Sequence, residues 1–212
     1  MSVYYNKKEI SAKVFDFLYG CSMHDAILQQ AFKGKKEWVG KVEQAKPFLR
    51  EYIDCIVGDK FSSQEAHDEK FISVADNICK VINENKAPDA KDVFSFGNAQ
   101  KLINIAAKHT YSICYWAPAL REHFRWCHCP LDSIMLQKVW ARYKKDFGNN
   151  ARQKALGSVD VFCKAWGNEG QDGGMQPQIC DFPERYLKFQ RAVKDIVGAG
   201  NLYAIEFDYL IW

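Results

Sequence analysis

The sequence predicts an all-α fold, a single-domain bundle of about seven to nine helices. Three observations lead there. Apolar residues recur every three to four positions through most of the chain, the period of a helix with one buried face. Gly, Pro and Asn interrupt that pattern at helix-length intervals. No Asn-Gly turn with alternating flanks and no repeat of 20–50 residues is visible. The chain has 212 residues, 48% of them apolar and 26% charged. These are ordinary globular values and exclude disordered, collagen-like and coiled-coil classes. A chain of this length buries roughly 70% of its unfolded surface and needs no staple, so residues 1–212 are read as one domain.

The elements follow in order. Asn6 is placed to cap a first helix running to Leu18, with Gly20 as its stop. Ser22 then caps a second, ending near Gly34. A third spans Lys36 to Val57, stopped by Gly58 and kinked or divided at Gly40 and Pro47. Ser62-x-x-Glu65 has the form of a capping box for a helix through Asn83, with Phe71, Val74 or Ala75, Ile78 and Val81 or Ile82 on its core face. After a polar loop comes the most regular helix, Phe94 to about Tyr115. Residues 119–129 carry no clear period. Pro130 suits the first turn of the next helix, where its missing N–H is no loss, and Gly148 ends it. A further helix is expected over Ala151–Trp166, a flexible glycine-rich loop over about 167–180, and a last long helix from Pro183 to Gly198 or Gly200. The aromatic tail, Asn201–Trp212, reads as helix because no partner strand is evident.

Charge and cysteine content narrow the function classes. Twenty-nine basic against 26 acidic residues leave a formal charge of +3, too little to indicate nucleic-acid binding by itself. The most basic stretch, Arg142 to Lys154, reads as a solvated helix end. Without an apolar signal core or a run approaching 20 apolar residues, the protein is expected to be cytoplasmic and off the membrane. The eight cysteines are then expected to be reduced. Cys127-His128-Cys129 offers adjacent metal ligands but lacks the paired spacing of structural zinc sites, so no metal or other cofactor is expected there.

Two segments could carry chemistry. In Phe96–His109, the residues Gly97, Lys101, Asn104 and Lys108 share one side of a helix, with Gln100 a turn before Asn104. Two ammonium groups with amides between them can hold an anion, so Gln100, Lys101, Asn104 and Lys108 are the candidate ligand-binding residues. In Arg121–Ser133, a helix starting at Pro130 makes Cys129 the N-cap and sets His128 just outside the positive helix end, with Asp132 in the first turn. His128, Arg121 and Asp132 are the candidate catalytic residues. The polar groups of the two segments lie within strongly apolar stretches. Unpaired burial would cost about 1–3 kcal/mol each, so the two helices are expected to pack together there.

Arg121 and His128, with six residues between them, resemble the R-x₆-H spacing of HEPN nucleases, all-α RNases of bacterial toxin and antiviral systems. Glu122 stands where that family carries a small polar residue. The resemblance implies that Arg121 and His128 act together on RNA, usually across a dimer interface. If the protein is an enzyme, the expected chemistry is metal-independent phosphodiester cleavage, with His128 as acid or base and Arg121 or Lys101 stabilising the phosphorane. The pair FGNAQKLINIAAK and CHCPLD is similar to an uncharacterised bacterial all-α family, which implies a joint role for Lys101, Asn104, His128 and Asp132. The expectation is a bacterial or phage-related defence or stress protein binding RNA or an anionic nucleotide, with a protein partner or homodimer possible. The alternative is a non-catalytic binding or adaptor module whose polar centre is a structural network.

Overall fold

Helices account for the architecture, as the periodicity predicts. The computed structural model describes residues 7–24, 36–84, 94–157, 182–198 and 200–211, and among these no strand occurs. The helices are α1 (Lys7–Met23), α2 (Lys36–Val57), α3 (Gln64–Asn83), α4 (Phe96–Cys114), α5 (Pro118–Arg121), α6 (Ser133–Phe147), α7 (Asn149–Leu156), α8 (Phe182–Gly198) and α9 (Phe207–Ile211). Single 3₁₀ turns at Glu122–Phe124 and Ala204–Glu206 precede the core segment and α9.

α4 is the central helix. α1, α2 and α3 pack on it, while α6, α7 and α8 form a second group joined to α4 through the segment before α6. Its burial is nearly all-round: Ala99, Leu102, Ile103, Ala106 and Ala107 are enclosed, and so are Gln100 and Asn104. A helix enclosed this widely leaves little solvent face for its polar residues: Lys101 and Lys108 keep only partial exposure. The core continues through Phe71 and Ile78 of α3, Leu136 and Val139 of α6, and Tyr186, Phe189 and Val193 of α8.

Several boundaries differ from the sequence reading, each for a local reason. α1 runs through Gly20, and Ser22 sits inside it, donating to the Leu18 carbonyl four residues back rather than capping a new helix. The rest of the expected Ser22–Gly34 helix lies outside the described residues. α2 passes Gly40 and Pro47 without dividing. The cap of α3 is Ser63, one residue later than expected, accepting from the Ala66 N–H. α6 starts three residues after Pro130. Its N-cap is Asp132, which accepts from the Met135 N–H at 2.8 Å, and Cys129 caps nothing. α6 and α7 are joined by Gly148 at φ 88°, a conformation that favours glycine. Of the expected Ala151–Trp166 helix the described part is α7, which begins two residues earlier, at Asn149, and ends at Leu156 before Gly157; residues 158–166 lie outside the described residues. The glycine-rich 167–180 stretch lies outside the described residues. The tail is helical, as read.

Candidate functional site

Residues Cys127–Leu131 form a buried, non-helical segment through the middle of the molecule. Buried peptide groups need partners, and here side-chain amides supply them. Gln190 of α8 accepts from the Cys129 N–H at 3.0 Å and donates to its carbonyl at 2.7 Å. Gln100 of α4 treats Leu131 the same way, donating to the carbonyl at 2.5 Å and accepting from the N–H at 3.3 Å. Pro130, between them, has no N–H to satisfy. Two glutamines thus replace the ladder that a strand would provide. This is why the chain stays extended where Pro130 suggests a helix start.

From this clamp a hydrogen-bond chain leads to His128. The orientation of Gln100 is fixed by two carbonyls, those of Gly97 and Leu131, so its Oε1 faces Asn104. Asn104 Nδ2 donates to that oxygen and to the Tyr186 hydroxyl at 2.8 Å. Tyr186 in turn donates to His128 Nδ1 at 2.9 Å. His128 must then carry its proton on Nε2, which donates to Asp68 Oδ1 at 2.9 Å. On the far side, His67 Nδ1 donates to the same oxygen at 3.3 Å, and Tyr52 donates to His67 Nε2 at 2.7 Å. Gln64 also donates to Asp68 Oδ1, and Lys194 donates to Gln64 Oε1.

Burial sets the protonation states. Burial pulls the His67 pKa down to about 4, against the opposing pull of Asp68, and lowers that of His128. Burial raises the Asp68 carboxyl, but the bonds from His128 and His67 reverse the effect and hold it well below the usual carboxylate range. Two neutral imidazoles therefore flank one carboxylate. Burial lifts Tyr52 and Tyr186 well above 10, so both stay protonated.

Of the candidate residues named from sequence, Gln100, Asn104 and His128 are joined through Tyr186 and Lys101 meets Asp132, but around no opening, while Lys108 and Arg121 lie toward the other end of α4 on Asp208 and Glu206. The helix bearing Lys101 and Asn104 packs beside the start of the helix carrying Asp132 at its cap, as expected. Gln100 and Asn104 are fully enclosed and His128 is 1% exposed. Each candidate cation meets an internal carboxylate: Lys101 with Asp132 at 3.7 Å, Lys108 with Asp208, and Arg121 with Glu206 at 2.7 Å. Arg121 also donates to the Tyr111 hydroxyl at 3.0 Å. It ties α5 to the C-terminal turn, where Glu206 Oε2 accepts from the Tyr203 N–H. Three buried polar atoms have no protein partner among the described residues: Asn104 Oδ1, Trp126 Nε1 and Arg152 Nε.

Cys127 and Cys129 are buried beside His128, and burial raises both thiols, so neither is a ready thiolate. Among the described residues, the group that brings metal-ligating atoms together is His67, Asp68 and His128, which shares only His128 with the Cys-His-Cys run.

In comparisons with family models, curated proteins and solved structures, nothing matches this chain.

The sequence reading missed His67, Asp68, Tyr52, Gln64, Tyr186 and Gln190. One signal was present. Counting back four from Phe71 along the core face of α3 reaches His67, a polar residue in core register. Gln100 and Asn104 hold equivalent positions in α4. Polar residues in core register on two helices are candidates for contact with each other.

The apolar counterpart lies where α4 ends. Trp116 is 87% exposed, next to the exposed Tyr115, Tyr209 and Leu210. These residues, with Tyr111 and Leu202, border a recess of about 390 Å³.

Proposed function

We propose that this chain is a non-catalytic helical binding module that pairs with a second copy of itself through the Trp116 face. The observation that supports this reading is the contrast at the two ends of α4. The polar centre is closed, and each cation assigned to an anion is held by a carboxylate of its own. The Trp116 face instead offers a projecting aromatic ring beside a recess lined by Tyr209 and Leu210. A knob and a hole on one face are what a two-fold, self-complementary contact needs. Tryptophan is also among the side chains that most often dominate an interface.

The competing proposal, RNA cleavage or nucleotide binding, would need His128 and Arg121 to reach a phosphodiester together. His128 has both ring nitrogens engaged inside the core, and Arg121 is paired with Glu206.

Sedimentation velocity on the full chain tests the reading. A concentration-dependent dimer is expected, weakened roughly 30-fold or more by Trp116→Ala, as for a hot-spot side chain. Circular dichroism should not change. A monomer at all concentrations, together with RNA cleavage that His128→Ala removes without unfolding, would replace the module by the nuclease.

A further inference from the structure

His67 Nδ1, Asp68 Oδ1 and His128 Nε2 lie within 4.8 Å of one another. Two come from adjacent residues of α3, and the third from the extended segment ahead of α6. Four-coordinate zinc with ligands at 2.0–2.2 Å sets neighbouring ligand atoms about 3.4 Å apart. The observed separations from Asp68 Oδ1, 2.9 Å to His128 and 3.3 Å to His67, need only small adjustments to reach that value.

A second observation concerns the donors. Three N–H groups, from His67, His128 and Gln64, converge on the single oxygen Asp68 Oδ1, which has two lone pairs. Gln64 Nε2 has two hydrogens, and these have two acceptors, Asp68 Oδ1 and the Trp126 carbonyl at 3.2 Å. Its contacts with His128 Nε2 at 3.3 Å and His67 Nδ1 at 3.4 Å are therefore donor against donor. A cation at this point converts both imidazole nitrogens from crowded donors into lone-pair ligands.

We propose that His67, Asp68 and His128 hold a divalent transition-metal ion, zinc by preference, the Gln64 amide that now lies against all three donor atoms swinging aside to open the fourth position to water. This goes beyond the binding-module reading and rests on different residues. Two imidazoles and one carboxylate form a borderline N₂O donor set suited to zinc. Each imidazole remains neutral on binding. Its proton moves from the nitrogen facing Asp68 to the one facing a tyrosine hydroxyl, and that hydroxyl changes from donor to acceptor. Tyr52 and Tyr186 are placed to orient the two rings, the role that outer partners of metal-bound histidines play. The ion would tie α3 to the Cys127–Leu131 segment, a contact made by no covalent link. Lys194, bonded to Gln64 Oε1, is the charge that opposes it.

The test uses the full chain, stripped with a chelator and titrated with Zn²⁺ and Co²⁺. One equivalent should bind. Co²⁺ should show tetrahedral visible absorption without a thiolate-to-metal charge-transfer band. Asp68→Asn should weaken Zn²⁺ binding about 100-fold, and Lys194→Met should strengthen it several-fold. Tyr186→Phe should weaken it ten- to 100-fold, as loss of an outer partner does. If Asp68→Asn does not fold, the Lys194 and Tyr186 variants decide. The proposal is overturned by the absence of saturable one-site binding, by thiolate charge transfer, or by affinities that none of these variants changes. The oligomeric state is read separately, so failure here leaves the Trp116 face standing, and the reverse.

Discussion

The two ends of α4 solve opposite problems. Near its N-terminus, polar side chains lie in the core, and each is oriented by the next: Gln100 by backbone carbonyls, Asn104 by Gln100, Tyr186 by Asn104, His128 by Tyr186. Near its C-terminus, charges close the C-terminal turn in pairs, while Trp116 and Leu210 face solvent. In the first region each side chain is directed by the next group in the hydrogen-bond chain. The second keeps unspent apolar surface. The difference teaches that amides in a sequence do not by themselves indicate a ligand; their register relative to the core decides.

The largest expected effect tests whether the N-terminal region depends on its amides. Gln100→Leu keeps the volume but leaves the Leu131 N–H and carbonyl without partners in a dry interior. Each such group costs about 1–3 kcal/mol, so the variant should lose about 2–6 kcal/mol in urea unfolding. Arg121→Met, which breaks a pair whose arginine is one-third exposed, should lose less. The reverse ranking would mean that water reaches the Cys127–Leu131 segment and that the two regions are not distinct.

The second test is pH. His67 is held neutral, with a pKa near 4 against about 6.5 when unfolded, and His128 is shifted the same way. Between these values the unfolded chain binds protons that the folded chain refuses. Stability of the chelator-treated protein is therefore full above about pH 6.5 and falls as the pH drops toward 4. The slope approaches about 1.4 kcal/mol per pH unit for each imidazole. Asp68 adds its own loss only at lower pH, since its folded pKa lies below the usual range. Urea midpoints at pH 7.5, 6 and 5 measure this; a flat profile would show solvated imidazoles.

The fold was legible because periodicity and punctuation report burial directly: α2, α3, α4 and the last long helix fall where the apolar stripes predict. Its errors were local. Pro130 reads as a helix start unless one knows that Gln100 and Gln190 arrive from elsewhere to hold the backbone extended. The site was half legible. Gln100, Asn104, His128 and Asp132 were singled out and do converge. Their partners His67, Asp68 and Tyr186 are 30 or more residues away along the chain, and no local pattern announces a contact made only by packing. The sequence likewise could not tell that Lys108 and Arg121 each meet a carboxylate, because Asp208 and Glu206 are brought back by the tail.

The smallest expected effect bears on the residue that the ligand reading made most important. Lys101 reaches Asp132 at 3.7 Å, and both side chains are partly exposed. Such a pair is worth about 0–1 kcal/mol, because solvent screens it and ordering two side chains costs entropy. Lys101→Ala should therefore barely shift the unfolding midpoint. Asp132→Ala should cost about 1 kcal/mol, because it also removes the bond that caps α6 at Met135. The excess of the second variant over the first isolates the cap from the ion pair. Thermal melts of both variants, read beside nucleotide-binding isotherms, separate the alternatives. If Lys101→Ala leaves stability intact but abolishes saturable nucleotide binding present in the wild type, the lysine serves a ligand and its pairing with Asp132 is incidental. If neither protein binds nucleotide and only Asp132→Ala melts earlier, the N-terminal end of α4 is structural throughout, and recognition belongs to its other end.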